Sequence, residues 1–374
     1  MSRSPRRLKR GEIERREAEA LVESVLAKYP KRIEPRDEQY ESTSPWQVLE
    51  YGDELLAKRD LVLEIFRKNN VDLLAALAKP VTGTALATAD FTVATDNQEY
   101  FYRNKMEYAL YWCNDENKIR LAVHKRRSYR KLPITSSSIE RPEILAKALE
   151  IIDDLNARGE EARKYQSLML RCDQSGKVSG GLLENGKPHP VFEPLSDEIL
   201  GQRYSYSPNG FFQINLPMYE VALLEMKRWI LGDSVLDLYA GVGTIGLSIA
   251  RDKKLTLVEL NASAVAEMQA NIASAAVIPE PAAVLAKSED ALSHIADKDT
   301  VIVDPPRAGL HRDVVDELLK QKTKRVIYLS CNPTTQARDV KMLVDGGYRI
   351  EFAKAFNFFP RTLHIENLVV LGHK

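Results

Sequence analysis

A chain of 374 residues is too long for one ordinary domain and suits two or three. With 44% apolar and 28% charged residues the composition is that of a folded globular protein, and no apolar run approaches the roughly 18 residues of a membrane span. The 53 basic and 53 acidic residues cancel, so any contact with nucleic acid must come from local basic patches. The start, Met1 to Arg10, is basic without an apolar stretch and does not read as a signal peptide. Cys113, Cys172 and Cys331 are scattered and odd in number. They suggest neither a disulfide framework nor a clustered metal or iron–sulfur site, and point to a reduced, cytoplasmic setting.

Residues 1–35 carry ten Lys/Arg and six Asp/Glu. A basic tail leads into a helical pattern over Gly11–Lys28, either an RNA-touching arm or a solvated extension. Glu54–Phe66 and Val71–Ala78 are apolar-periodic, with Pro80 stopping the second, and no chemistry is legible there. Residues 1–95 are therefore expected to form a basic, helical N-terminal extension. From 96 the pattern changes. Tyr100–Trp112 and Ile119–Lys125 read as strands about the turn Asn114–Asn117. A helix is expected over Arg141–Ala157 after capping serines Ser136–Ser138, then strands at Leu168–Cys172 and Val178–Leu183. This predicts a small central α+β domain over 96–192.

From Leu195 strands and helices alternate. Val235–Leu238, Leu255–Val258, Ala283–Leu285, Val301–Val303 and Arg325–Leu329 are short apolar runs separated by helical stretches or loops. That is the pattern of an α/β fold with a parallel Rossmann-like sheet covered on both faces. Tyr348–Phe356 and Ile365–Gly372 lack a helix between them and predict a terminal antiparallel hairpin.

The first strand of this third domain, 193–374, runs into Asp237-Leu238-Tyr239-Ala240-Gly241-Val242-Gly243-Thr244. Gly241 and Gly243 allow a sharp turn and close approach of a ligand. Glu259 ends the next strand, where a carboxylate accepts hydrogen bonds from a ribose diol. The spacing alone does not separate a dinucleotide from S-adenosylmethionine; Asp237 and the terminal hairpin favour a methyltransferase. Three segments then fall at the C-terminal ends of later strands, where open α/β sheets bind ligands. Asp304-Pro305-Pro306-Arg307 presents Asp304 on a loop stiffened by prolines. Arg307 stands where amino-group methyltransferases of bases place an aromatic, and argues against their chemistry. Cys331 lies between a strand and a helix, whose N-terminus is expected to lower the thiol pKa. Glu366 opens the last strand, two residues after His364, which reads as structural.

Taken in order, Phe211-Phe212-Gln213-Ile214-Asn215, Asp237–Gly246, Asp304–Leu310, Ser330–Asp339 and His364–Glu366 resemble the RNA uracil-5 methyltransferase family. Tyr102–Lys105 and Glu107 extend the likeness into the central domain. The resemblance implies a class I methyltransferase fold, S-adenosylmethionine as cofactor and 5-methyluridine in transfer or ribosomal RNA as product. It makes Cys331 the nucleophile that adds to carbon 6 and Glu366 the base that removes the carbon 5 proton. It makes Gln213, Tyr239, Gly241, Thr244, Glu259 and Asp304 cofactor contacts, with Arg307, Phe211 and Asn332 shaping the site. Two features common in the family are not expected: a small RNA-binding barrel before residue 96, and an iron–sulfur cluster. Lys125–Lys131 holds five basic residues around Tyr129. Beside a base-modifying site, Arg126, Arg127, Tyr129 and Arg130 become the expected RNA contacts. Cytosine-5 methylation and an RNA-binding protein without catalysis are the competing readings; a nicotinamide dehydrogenase would need a different substrate site.

Overall fold

The computed structural model describes residues 10–78 and 90–373. The basic run 1–9 and Pro80 lie outside the described residues. In the N-terminal region helix α1 (Arg10–Leu26) is followed by the short α2 (Tyr40–Thr43), α3 (Tyr51–Lys68) and α4 (Leu73–Leu77). The last is shorter than Val71–Ala78 because the Asp72 carboxylate caps it, accepting from the Ala75 amide at 2.9 Å. Leu21 and Val25 of α1 pack on Trp46, Leu49, Ala57 and Leu61. The opposite side of α3, with Val62 and Phe66, joins the core of the large C-terminal sheet. A two-residue strand that periodicity does not reveal, β1 (Val93–Ala94), pairs in parallel with the edge of that same sheet.

The central region is a six-stranded antiparallel sheet of β2 (Lys105–Cys113), β3 (Lys118–His124), β4 (Lys131–Pro133), β5 (Ser167–Cys172), β6 (Val178–Glu184) and β7 (Lys187–His189). Helix α5 (Pro142–Ala157) covers one face through Ile144, Ala148, Ile152 and Leu155. Two local expectations change. Strand β2 starts at Lys105 rather than Tyr100, because Tyr102 and Asn104 bond Pro360, Ile214 and Gln213 of the C-terminal region. Ser136–Ser138 do not cap α5: Arg141 precedes it, and Ser138 instead donates to Asp37 at 2.8 Å.

A ribbon of β8 (Leu195–Ile199) and β9 (Gln202–Tyr206) leads through α6 (Leu216–Lys227) into the large fold. There follow β10 (Ser234–Leu238), α7 (Thr244–Ile249), β11 (Lys254–Glu259), α8 (Ala262–Ala275), β12 (Ala282–Leu285), β13 (Thr300–Val303) and α9 (Arg312–Gln321). The chain closes with β14 (Arg325–Ser330), α10 (Pro333–Asp345), β15 (Tyr348–Phe356) and β16 (Glu366–His373). The eight strands run in the order β1-β15-β16-β14-β13-β10-β11-β12, and β16 is antiparallel to both its neighbours. Alternate side chains feed two cores. Val235, Ile302, Ile327 and Leu368 face α6 and α7, whereas Leu236, Val301, Val326 and Val369 face α3, α9 and α10. Burial of both faces explains the uninterrupted apolar runs in the sequence. It also leaves the strand ends as the place for a site.

Candidate active site

One cavity of about 1490 Å³ lies at the C-terminal ends of β10, β11, β13 and β14. It exceeds the roughly 300–1,000 Å³ of an ordinary small-ligand pocket, leaving room for more than one occupant. Its wall brings together Gln213, Tyr239, Gly241, Glu259, Asp304 and Cys331 with Arg307 and Glu366.

On one side β10 ends in a turn with positive φ at Tyr239 (64°), Gly241 (57°) and Gly243 (87°). A Cβ on Gly241 would meet nothing within 4 Å, so its backbone faces open space. At Gly246, by contrast, a Cβ would lie 2.5 Å from Leu257, so that glycine lets α7 close on the sheet. Glu259 is fixed at the wall, accepting from the Gly241 amide at 3.0 Å and the Asn261 amide at 2.8 Å. Beneath the turn Asp237 is fully buried. One oxygen accepts from the Gly246 amide at 2.9 Å, the other has no partner among the described residues, and burial pushes the carboxyl up to about 8. Thr244 is the exception among the expected contacts. It is buried at the start of α7, where its carbonyl accepts from the Tyr204 hydroxyl at 3.4 Å, and it is not part of the cavity wall.

On the other side two loops are laced together. Asn332 caps α10 and donates from Nδ2 to the Arg307 carbonyl at 2.8 Å; Thr335 bonds the same carbonyl at 3.1 Å. Asp339 accepts from the Leu310 amide at 2.8 Å and the Tyr328 hydroxyl at 2.9 Å. A Cβ at Gly309 would lie 2.6 Å from that carboxylate, so the Asp304–Leu310 loop can approach α10 only with glycine there. These bonds hold Asp304 and Arg307 beside half-buried Cys331.

The expected lowering of the thiol is reversed. Burial, then Glu366, then Asp304 push Cys331 up to about 11, while Arg307 pulls the other way. Burial likewise raises Asp304 to about 7. Glu366 is only 4% exposed, with one oxygen unpartnered among the described residues; burial and then Asp304 raise it well above an ordinary carboxyl. His364 also lines the cavity, 3.1 Å from an Arg307 nitrogen. His364 is exposed to the cavity, but desolvation by the surrounding walls and then the positive charges of Arg307, Lys58, Arg103 and Arg126 depress it to about 4, which keeps the ring neutral.

Comparison with known proteins settles the family. Residues 199–374 match the tRNA (uracil-5-)-methyltransferase family model. An uncharacterized RNA methyltransferase of Mycoplasma mobile is 36% identical over 284 residues, spanning 72% of this chain and 66% of that protein. Another from Enterococcus faecalis is 26% identical, spanning 94% and 86%. Over residues 199–374 the chain is of the tRNA (uracil-5-)-methyltransferase family. It is an S-adenosylmethionine-dependent RNA methyltransferase. The crystal structure of the Pyrococcus abyssi tRNA (uracil-54, C5)-methyltransferase with S-adenosyl-L-homocysteine shares the fold. It superposes with a TM-score of 0.68 at 24% identity, over 87% of this chain and 84% of that one.

The residues of this methyltransferase fit the cofactor. Gly241 with its open face, the Glu259 carboxylate, a group able to accept from a ribose diol, and the side chains of Gln213 and Tyr239 all line the same cavity. The expected RNA loop stands apart from it. Arg126, Arg127, Tyr129 and Arg130 occupy the turn between β3 and β4, and Tyr129 is 98% exposed. Arg127 pairs with Glu19 of α1 at 3.0 Å. None of the four lines the cavity, yet the charge of Arg126 reaches His364. Sequence reasoning named Asp339 only as the end of the Ser330–Asp339 segment and gave it no role, and it missed the buried Glu54 and Lys58 of α3. No helical periodicity announces those two.

Proposed function

We propose that this enzyme methylates carbon 5 of a uridine in structured RNA, transfer or ribosomal, through a covalent adduct on Cys331, with Glu366 as the base. The observation that carries the reading is the meeting of Cys331, Asp304, Arg307 and Glu366 in one cavity with a nucleotide-type glycine turn. The target base leaves its stack to enter, and Phe211, 75% exposed at the cavity rim, offers an aromatic face beside the gap. Arg307 favours the thiolate of Cys331. The sulfur adds to carbon 6, and the electron pair of the 5,6 double bond moves into the carbonyl system, making carbon 5 nucleophilic. Gly241 and Glu259 would hold S-adenosylmethionine, which would supply an electrophilic methyl group: a bond from carbon 5 to that methyl would form as the methyl–sulfonium bond breaks, with S-adenosylhomocysteine as the leaving group. Glu366, in its ionised form, takes the carbon 5 proton; the double bond re-forms and the sulfur–carbon bond breaks. A carboxyl whose pKa is raised by burial is a stronger base once ionised, as that step requires. The free thiols at Cys113, Cys172 and Cys331 accord with a cytoplasmic location.

RNA containing 5-fluorouridine tests the assignment, because fluorine cannot leave as a proton. With S-adenosylmethionine the wild type should give an adduct that survives denaturing electrophoresis, and Cys331→Ala none. An adduct retained by Cys331→Ala would move the nucleophile elsewhere.

A further inference from the structure

The loop that delivers Glu366 is held by residues far away in the chain. Lys58 and Glu54, one turn apart on α3, are both fully buried. The Lys58 ammonium donates to Glu54 at 2.8 Å, to the Asn357 side chain at 2.6 Å and to the Phe359 carbonyl at 3.0 Å. Glu54 in turn accepts from the Arg361 amide at 2.9 Å and from Asn357 Nδ2 at 3.2 Å. The Arg361 side chain, 3% exposed, donates to the Leu49 carbonyl at 2.6 Å and pairs with Glu99. Three more outside groups take the remaining carbonyls. Asn215 bonds Phe358 at 3.1 Å, the Tyr102 hydroxyl bonds Pro360 at 2.9 Å, and the Trp46 amide bonds Arg361 at 3.0 Å. Each carbonyl from Phe358 to Arg361 is thus fixed by a residue outside the loop. Arg361 is also held at a φ of 64°, uncommon for a residue with a side chain. Phe359, His364 and Glu366 follow from this anchored stretch onto the cavity wall.

Burying an ammonium and a carboxylate is costly, and a well-packed apolar pair often serves stability as well or better. What the charged pair adds is direction: donors and acceptors that fix one backbone path. We propose that Glu54 and Lys58, with Asn357 and Arg361, are positioning residues that set Glu366 for removal of the carbon 5 proton. They act on release of the product rather than on attack by Cys331. The inference rests on the functional reading above. The Cys331 side of the cavity has its own ties, through Asn332, Thr335 and Asp339, and none of these involves the cluster.

The test compares two steps in Lys58→Met and Glu54→Gln, the second of which keeps an acceptor for the Arg361 amide. Adduct formation on 5-fluorouridine RNA should stay within about threefold of wild type, while turnover on ordinary RNA should fall by up to about 100-fold, as for a small misplacement of a reacting group. Methylated RNA should then accumulate as a covalent complex on denaturing gels, a signature that general loosening of the fold does not give. Equal loss of adduct formation and turnover in Glu54→Gln, or turnover unchanged in both variants, would overturn the positioning role. An absence of adduct with the wild type would instead overturn the functional reading itself.

Discussion

The two chemical arms of the cavity are built differently. The Cys331 arm is local: β14 ends, Asn332 caps α10, Pro333 opens it, and one neighbouring loop is tied on through the Arg307 carbonyl. The Glu366 arm is assembled across the chain, with Glu54 bonding an amide 307 residues away and Tyr102 a carbonyl 258 away. A local arm depends on capping and turn chemistry, which short motifs record. An assembled arm depends on burial by distant elements, which no window of sequence records.

If the arms serve separate steps, they should fail separately. The largest separation is expected of Glu366→Gln: turnover should fall by about 10²–10⁴-fold, the range for loss of a general base, while the Cys331 adduct still forms. Electrophoresis of the enzyme after incubation with RNA and cofactor would show this, and loss of the adduct together with turnover would place Glu366 in the first step. A smaller effect concerns the thiol. With Cys331 held at about 11, the thiolate is the minor form at neutral pH, so kcat/KM should rise with pH. Asp304, at about 7, loses its proton in the same window and repels the thiolate, so the rise should be shallower above pH 7 than the tenfold per unit expected of a lone thiol. Arg307 lowers the thiol, so Arg307→Ala should move the profile to higher pH and slow the reaction about tenfold at a fixed neutral pH. A profile unmoved by that change would remove Arg307 from thiolate stabilisation. The smallest effect is expected at the basic turn, outside both arms. Neutralising Arg126, Arg127 and Arg130 should weaken RNA binding several-fold without changing cofactor affinity. The slope of log affinity against log salt should shrink by about 0.7–0.9 per lost phosphate contact. An unchanged slope would take the turn out of the RNA interface.

The same contrast explains what could be read in advance. The inner strands of the large sheet were legible to within a residue or two because both faces are buried, and the apolar runs therefore coincide with the strands; β12, at the edge and partly exposed, was legible as a short apolar run alone. The terminal hairpin was legible from the missing helix between its strands. Strand β1 was not, since two half-buried residues carry no periodicity. Glu54 and Lys58 stand at the i,i+4 spacing of an ordinary surface ion pair, and only the packing of α3 against the 357–364 loop distinguishes them. The thiol shift went the opposite way to expectation because the fold buries Cys331 and brings two carboxyls from separate loops towards it, and both effects are tertiary. Thr244 follows the glycine turn in sequence, but its place at the first turn of α7 directs it into the core.

The central claim is the identity of the methylated atom. Purified enzyme incubated with methyl-labelled S-adenosylmethionine and separate transfer and ribosomal RNA pools, followed by digestion to nucleosides, tests it most directly. The account predicts labelled 5-methyluridine in one of the two pools. Label in 5-methylcytidine, or in no nucleoside from either pool, would contradict it.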